Sequence, residues 1–185
     1  ALLPDEISVR SSEVAPAGFD PRRDASARVY EYRIINRPER PALDRGRALH
    51  IRQPLDVQAM CQGAEHIVGT HDFRALTTSD AGPVVRQVYE CVCWREGETV
   101  SIRVRANAFA KRMVRRTAGA LVQVGLGRWK PEAIGRMLAD ASSPFVAPSL
   151  SAHGLYLMKV EYERAVDANR ELRKATSTLS ETNAG

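Results

Sequence analysis

Three arginines with the potential for anion chemistry lie close together in residues 107–125: Arg112, Arg115 and Arg116. An arginine guanidinium stays positively charged at physiological pH and presents a planar fork of N–H donors, so it pairs with a carboxylate or a phosphate through two parallel hydrogen bonds. A basic stretch of this kind either holds an anionic partner or is a solvated helix face. The neighbouring elements and the composition are needed to choose between these two interpretations.

The stretch 107–125 is predicted to form one amphipathic helix. At about 3.6 residues per turn, its apolar side chains fall on one arc and its basic side chains on the opposite arc. The apolar arc comprises Phe109, Ala110, Met113, Val114, Thr117, Ala120, Leu121 and Val124. Gly119 follows Arg115 by one helical turn. Because glycine inside a helix costs about 1 kcal/mol relative to alanine, we expect something to approach this side of the helix closely.

The composition favours a phosphate-bearing partner. The chain of 185 residues has 27 basic residues, most of them arginine, against 22 acidic residues, which gives a net charge of +5 and a pI near 9.4. Arginine both pairs with phosphate and stacks on bases, so nucleic-acid binding is one interpretation and an arginine-rich composition without a functional cause is the other. At 44% hydrophobic residues, the chain suits one globular domain, or one large domain with a smaller appendage.

Cysteine and hydropathy patterns argue against several other classes of protein. The three cysteines, Cys61, Cys91 and Cys93, form no Cys-x-x-Cys pair and have no run of histidines nearby, so neither a disulfide framework nor a zinc site is expected. No apolar run approaches the roughly 18 residues of a membrane helix, and the first residues do not resemble a signal peptide. We therefore expect a cytoplasmic protein with no membrane segment and no metal.

Alternation of apolar and polar residues predicts the strands, and the helical period of apolar residues predicts the helices, that position these residues. Strands are predicted at residues 28–35, 84–95, 99–107 and 154–162, with a possible short strand at 7–9; helices at 55–68 and 131–140; and loops at 36–52 and 69–73. The Glu96-Gly97-Glu98 segment is typical of a hairpin. Tyr30 and Arg28 are predicted to share one face of their strand. This pattern favours an α+β fold with a mainly antiparallel sheet and helices packed on one face.

Taken together, the ordered motifs resemble the tRNA pseudouridine synthase A family. The motifs that carry the resemblance are Leu3-Pro4, Phe19 with Arg22 and Ala25, Arg28-x-Tyr30-x-Tyr32, Gly69-Thr70-His71-Asp72-Phe73, Arg86, Ala106-Asn107-Ala108-Phe109, Met113-Val114-Arg115, Val124-Gly125-x-Gly127, Gly154-Leu155-Tyr156-Leu157 and Val160-x-Tyr162. The resemblance implies the pseudouridine synthase fold, a homodimer that grips tRNA, and isomerisation of uridine to pseudouridine in the anticodon stem-loop, at uridines 38, 39 and 40. It also implies that no organic cofactor or metal is needed.

The resemblance also assigns roles to individual residues. Arg115 corresponds to the active-site arginine that pairs with a catalytic carboxylate, and Tyr30 to the tyrosine that stacks on the target base and assists the late proton removal. Candidate substrate-binding residues are Tyr30, Arg22, Asn107, Leu155, Arg112 and Arg116. We expect the space beside Gly119 to admit the flipped base or the loop that carries the carboxylate. His71 and Asp72 are expected to orient backbone, touch RNA or close a turn.

One family motif is absent from this chain. The family's catalytic aspartate lies in a Gly-Arg-Thr-Asp-Ala-Gly segment upstream of the part that resembles this sequence, and no such segment occurs here. We therefore expect an N-terminally truncated synthase, with residues 1–27 ending the first catalytic half, residues 28–162 forming the C-terminal α/β domain, and residues 163–185 forming a disordered tail. Two hypotheses follow: an active synthase of which this is one piece, or a catalytically inactive RNA-binding module.

Overall fold

The computed structural model describes residues 3–78, 82–140 and 143–162. The chain divides into two compact units, one formed by Ser26–Glu161 and the other by Ala1–Ala25 together with Tyr162–Gly185. The predicted disordered tail, residues 163–185, lies outside the described residues.

The larger unit is built on one sheet of six strands among the described residues. The strands are β1 Ala27–Asn36, β2 Leu49–Ile51, β3 Gly69–Asp72, β4 Val85–Glu96, β5 Thr99–Ala106 and β6 Leu155–Glu161. Their order is β2-β1-β5-β4-β3, and β6 pairs with β1 beside β2. Only the β1–β2 pair is parallel within the described part of the sheet. The predicted α+β class and the mainly antiparallel sheet are confirmed.

The hairpin between β4 and β5 follows directly from local sequence. Both strands are rich in β-branched and aromatic residues that alternate with polar ones, which suits a half-buried strand. Gly97 has a φ of 57°, a left-handed conformation that glycine adopts without steric cost. The predicted hairpin is therefore confirmed. Strand β5 is followed by the loop 107–112, which contains the first basic residues of the stretch 107–125.

Among the described residues, three α-helices pack on one face of this sheet. They are α1 Val57–Glu65, α2 Met113–Gly125 and α3 Glu132–Ala139. Asp56 caps α1 by accepting a hydrogen bond from the backbone N–H of Ala59, as a helix N-terminus requires. The core joins strand and helix side chains that are fully buried: Tyr32, Ile34, Met60, Val100, Ile102, Val104, Leu121, Ile134 and Met137.

Several predicted boundaries are wrong. Helix α2 begins at Met113 rather than at residue 107, because Arg112 has a φ of 64° and so interrupts the helical backbone. Residues 69–72, predicted as a loop, form β3, which pairs with β4. Strand β2 lies inside the predicted loop 36–52 and consists of three residues only, too few for an alternating pattern to be visible. Residues 7–9 do not form a strand.

The smaller unit contains a turn and an aromatic contact. Phe19 N donates a hydrogen bond to the Pro16 carbonyl oxygen at 3.1 Å, which closes a turn at these residues. The ring of Phe19 meets Tyr162 edge-on, with 5.1 Å between ring centroids. Asp20 accepts hydrogen bonds from the backbone N–H groups of Arg22 and Arg23, and these bonds lower the pKa of the Asp20 carboxyl. Arg22 is exposed in this unit.

Candidate active site

An open cleft of about 350 Å³ lies between β1, the start of β6 and the N-terminal end of α2. Its lining residues are Tyr30, Phe109, Ala110, Lys111, Arg112, Met113, Val114, Arg115 and Leu155. Four of the residues selected from the sequence, Tyr30, Arg112, Arg115 and Leu155, therefore lie around one cleft. None of the lining residues carries a carboxylate, whereas three carry a positive charge, so the cleft is suited to an anionic partner.

Tyr30 forms one wall of the cleft. Its ring meets the ring of Phe109 edge-on, with 5.0 Å between the centroids and an interplanar angle of 81°, an arrangement favoured by the ring quadrupoles. Tyr30 is half-buried, and its hydroxyl makes no hydrogen bond to any described residue of the larger unit. The ring is thus held from one side while its hydroxyl stays available to a ligand.

Arg115 lies in the first turn of α2 and is half-buried. Its Nε donates a hydrogen bond to the carbonyl oxygen of Leu150 at 2.5 Å. Within the described ranges, neither Nη1 nor Nη2 has a hydrogen-bond partner. The side chain is therefore anchored at Nε, and its two terminal nitrogens remain available for an anion.

The segment 147–151, called the strap from here on, crosses α2 at Gly119. A Cβ atom added to Gly119 would lie 1.9 Å from the carbonyl oxygen of Pro148, in the strap. This distance is far inside van der Waals contact, so only glycine allows the strap to lie where it does. The expectation of a close approach at Gly119 is confirmed, but the space is occupied by the protein's own backbone rather than by a flipped base or a carboxylate-bearing loop.

Arg112 precedes α2 in an unusual conformation. Its φ of 64° makes it the one non-glycine residue with positive φ in the described part of the chain, and its side chain is exposed. The loop that leads to it is fixed by tertiary hydrogen bonds: Arg28 Nη1 donates to the Asn107 carbonyl oxygen at 2.8 Å, and Thr77 Oγ1 donates to the Lys111 carbonyl oxygen at 3.0 Å. These bonds present Lys111 and Arg112 at the mouth of the cleft.

Two other predicted substrate-binding residues do not line the cleft. Arg116 Nε donates to the Ala147 carbonyl oxygen at 3.1 Å and its Nη1 donates to the Thr77 carbonyl oxygen at 2.6 Å. Asn107 Oδ1 accepts a hydrogen bond from Gln87 N at 3.0 Å, which continues the pairing of β4 with β5. Both side chains thus have partners within the fold.

Sequence reasoning missed the role of Tyr32. The side chain is fully buried, and its hydroxyl donates a hydrogen bond to the Ser151 carbonyl oxygen at 2.6 Å. Burial raises the pKa of Tyr32 to about 12, although the positive charge of Arg115 acts in the opposite direction. The hydroxyl therefore stays protonated near neutral pH and is a constant donor. Its position two residues after Tyr30, on the same face of β1, was the signal that could have identified it.

On the face of the sheet opposite the helices, charged side chains pair with each other. Glu31 is 4% exposed and accepts hydrogen bonds from Arg33 Nε at 2.8 Å and Arg103 Nη2 at 2.9 Å. Burial by itself would raise the pKa of Glu31, but these two bonds outweigh it and hold the pKa below its ordinary value. Arg105 pairs with Glu161 at 2.7 Å in the same way. A cleft of about 460 Å³ on this face is lined by acidic as well as basic residues.

Aromatic rings support the arginines of that face. Arg33 lies over the Tyr156 ring, Arg103 over Trp94 and Arg105 over Tyr89, each less than 5 Å from the ring centroid. Arg103 and Arg105 therefore each have a carboxylate and an aromatic ring of the same chain as partners. The cationic cleft at Arg115 is therefore better suited to an external anion.

The segment 69–73 has a structural explanation. Asp72 Oδ1 accepts hydrogen bonds from Val84 N at 2.9 Å and from Arg74 N at 3.1 Å. Burial opposes ionisation of Asp72, but these bonds outweigh it and hold the pKa below its usual value. Phe73 is fully buried in the core, and His71 bonds the Val68 carbonyl oxygen. Of the expected roles for His71 and Asp72, orienting backbone and closing a turn are the two that the geometry provides.

Comparison with known proteins identifies the family. The model of a family described as tRNA pseudouridine synthase matches residues 64–163. The chain is 39% identical to tRNA pseudouridine synthase A of Geotalea uraniireducens over 167 residues, which is 88% of this chain and 67% of that protein. The chain belongs to the tRNA pseudouridine synthase family. The resemblance inferred from the sequence is confirmed.

Other tRNA pseudouridine synthases match over a similar region. The chain is 39% identical to tRNA pseudouridine synthase A of Shewanella woodyi over 163 residues, covering 86% of this chain and 62% of that protein. It is 34% identical to the protein of the same name from Bacillus velezensis over 165 residues, covering 88% of this chain and 67% of that protein. The chain thus spans about two thirds of the length of these tRNA pseudouridine synthases.

Within residues 3–78, 82–140 and 143–162, no group of three or more His, Cys, Asp or Glu side chains is arranged to hold a metal ion. None of the helices formed by those residues has both the length and the apolar character that a membrane crossing requires.

Proposed function

We propose that this chain supplies the arginine and the tyrosine of an active site that isomerises uridine to pseudouridine in the anticodon stem-loop of tRNA. The observation that carries the proposal is that Tyr30 and Arg115 line one cationic cleft in a chain of this family. The family name supports tRNA as the substrate. The choice of uridines and the homodimer follow from the resemblance and belong to the same proposal, as does the cytoplasmic location expected from the sequence.

The reaction needs a carboxylate that this cleft does not contain. Isomerisation breaks the bond between ribose C1′ and uracil N1, and the base then rejoins C1′ through its C5 carbon, which afterwards loses its proton. No atom is gained or lost overall, so the chemistry is nucleophilic and acid–base. In the family, a Gly-Arg-Thr-Asp segment provides the carboxylate. Arg115 would keep that carboxylate ionised by pairing with it.

Tyr30 contributes a surface for the extruded base. Enzymes that act on a base inside a folded nucleic acid rotate it out of the stack and hold it by stacking and edge contacts. A base stacked on an aromatic ring gains about 1–3 kcal/mol. The Tyr30 hydroxyl has no described partner, so in the last step its oxygen is available to accept the C5 proton while its own proton passes toward uracil N1, which carries a proton in pseudouridine. Leu155 on the same cleft provides an apolar wall that excludes water.

The test measures loss of the C5 hydrogen from an unmodified tRNA transcript that carries tritium at uridine C5. In the complete protein that contains this chain, Arg115→Lys is expected to reduce tritium release about 100-fold, because an ammonium cannot reproduce the bidentate pair. Tyr30→Phe is expected to lower the rate of release while tRNA affinity stays close to that of the wild type. Arg136→Lys, an exposed arginine of α3, is the matched control and is expected to have no effect.

A second candidate function is RNA binding without catalysis. It is favoured by the absence of a carboxylate among the residues that line the cleft. Under this alternative, the complete protein binds the transcript but releases no tritium. Tritium release from wild type that disappears in Arg115→Lys supports the synthase, whereas equal release from wild type and Arg115→Lys contradicts the proposed role of Arg115.

A further inference from the structure

The strap, residues 147–151, contacts α2 and β1 through three kinds of interaction. We propose that the strap sets the direction of the Arg115 guanidinium, and that Tyr32 and Gly119 are positioning residues which hold the strap in place. The inference deepens the proposed function, on which it rests, because it concerns the orientation of the same arginine. Neither Tyr32 nor Gly119 lines the cleft, so both would act through Arg115.

Arg115 and Leu150 are joined at the main chain as well as through the side chain. Leu150 N donates to the Arg115 carbonyl oxygen at 3.3 Å, while Arg115 Nε donates to the Leu150 carbonyl oxygen at 2.5 Å. These two bonds close a ring that includes both backbones and the Arg115 side chain. A shift of the strap would therefore turn the guanidinium by a comparable amount.

The strap is held at both of its ends. At the C-terminal end, Tyr32 Oη donates to the Ser151 carbonyl oxygen at 2.6 Å. At the N-terminal end, Ala147 is fully buried and its carbonyl oxygen accepts from Arg116 Nε at 3.1 Å. Between these points, the Pro148 carbonyl lies against Gly119, where no side chain fits. The position of the strap is thus defined along its whole length.

This arrangement determines how an anion reaches Arg115. A guanidinium pairs bidentately with a carboxylate either through Nε and one Nη or through Nη1 and Nη2 together. The single hydrogen on Nε of Arg115 is donated to Leu150, so the first mode is blocked. The carboxylate must approach along the Nη1–Nη2 edge, which has no partner among the described residues. The strap therefore selects one of two geometries for the catalytic ion pair.

Kinetics of the complete protein provide the first arm of the test. Tyr32→Phe removes only the hydroxyl that holds Ser151. We expect kcat for tritium release to fall about tenfold while KM for tRNA stays within about twofold, because a small displacement of a catalytic group lowers the rate of the chemical step. Tyr156→Phe is the matched control, since the Tyr156 hydroxyl also donates to a backbone carbonyl, that of Arg47, on the opposite face of the sheet. It is expected to leave both constants unchanged.

Nuclear magnetic resonance of the arginine Nε–H groups provides the second arm and needs no catalysis. The Arg115 Nε–H signal is assigned by its disappearance in Arg115→Lys. In wild type, its bond to Leu150 should slow exchange with water; in Tyr32→Phe we expect exchange at least about fivefold faster, and in Tyr156→Phe no change.

The two arms separate this inference from the proposed function. If wild type releases no tritium, the proposed reaction fails, yet faster Nε–H exchange in Tyr32→Phe alone still supports the positioning role. If the Arg115 Nε–H exchanges at the same rate in wild type and Tyr32→Phe, the inference is overturned. It is equally overturned if Tyr156→Phe lowers kcat as much as Tyr32→Phe does, since general destabilisation would then explain both variants.

Discussion

Arg115 and Leu150 exchange two hydrogen bonds, one between their main chains and one from the Arg115 side chain to the Leu150 carbonyl oxygen. A helix residue that would otherwise have several rotamers is thus fixed by a segment 35 residues further along the chain. The guanidinium is the cationic group that the proposed reaction depends on. Its orientation is accordingly a property of the packed fold and not of helix α2 alone.

Replacing Gly119 with alanine should destabilise the protein. The new Cβ would overlap the Pro148 carbonyl oxygen, at 1.9 Å, and overpacking of this kind costs about 1–3 kcal/mol. Because the clash is with backbone and not with a flexible side chain, the upper part of this range applies, and it exceeds the roughly 1 kcal/mol that alanine gains over glycine in a helix. Urea denaturation of the two proteins measures the difference in free energy of unfolding.

Gly63→Ala in α1 is the matched control for Gly119→Ala. Its Cβ would meet side-chain methyl groups of Ile134 at 3.0 Å and Leu121 at 3.3 Å, which can shift. We expect the free energy of unfolding of Gly63→Ala to stay within about 1 kcal/mol of wild type. If Gly119→Ala is as stable as Gly63→Ala, the strap does not lie against α2 as described.

Thr117→Val should stabilise the protein. Thr117 is 1% exposed, and its Oγ1 has no hydrogen-bond partner among the residues that the structure describes. Valine has nearly the same shape and no hydroxyl, so the free energy of unfolding should rise by about 1 kcal/mol. Thr77→Val is the comparison: the Thr77 hydroxyl donates to Lys111 O, so this variant should lose about 1 kcal/mol. Equal losses in both variants would contradict the prediction.

The Glu31 carboxylate should make stability depend on pH. Its pKa in the folded state is below its ordinary value of 4.5, so its stabilising effect is fully present above about pH 4.5 and is lost as the pH falls through the folded-state pKa. Glu31→Gln should therefore show a smaller drop in free energy of unfolding between about pH 6 and about pH 3. Glu65→Gln, at an exposed position of α1, should retain the drop seen in wild type, and an identical drop in Glu31→Gln would exclude this role for Glu31.

Arg112 should contact a phosphate when tRNA occupies the cleft. Arg112→Asn preserves a residue that tolerates positive φ and removes the charge. Each lost phosphate contact is expected to lower the slope of log Kd against log salt concentration by about 1. The measurement is tRNA binding at several salt concentrations, with Arg52→Asn, an exposed arginine outside the cleft, as control. If the slope changes equally in both variants, Arg112 makes no phosphate contact that distinguishes it from Arg52.

Local sequence made most of the sheet predictable. Strand β5 alternates apolar and polar residues along its eight residues, and β1 and β4 are rich in β-branched and aromatic residues, so strands were expected there. Strand β2 is only three residues long, and its pairing with the end of β1 depends on a distant segment. A short parallel pair of this kind leaves no periodic signal.

Two residues of the candidate site were predictable from short sequence motifs. Tyr30 and Arg115 were selected by their family motifs, and the structure brings both to one cleft. The predicted start of α2 was wrong because tertiary bonds from Arg28 and Thr77 capture the carbonyls of the preceding loop. The neighbour of Gly119 was also missed, since periodicity shows that a helix face is open but not which segment covers it.

The strap also has a consequence for the order in which the protein matures during synthesis. Tyr32 and Ser151 are separated by 119 residues, and Arg115 and Leu150 by 35. A nascent chain that has exposed β1 and all of α2 outside the ribosome still lacks the segment that fixes its central arginine. The anion-binding geometry of Arg115 is therefore completed only when Ser151 has emerged, so strand β6, which follows directly, and the oriented arginine are acquired at nearly the same moment of translation.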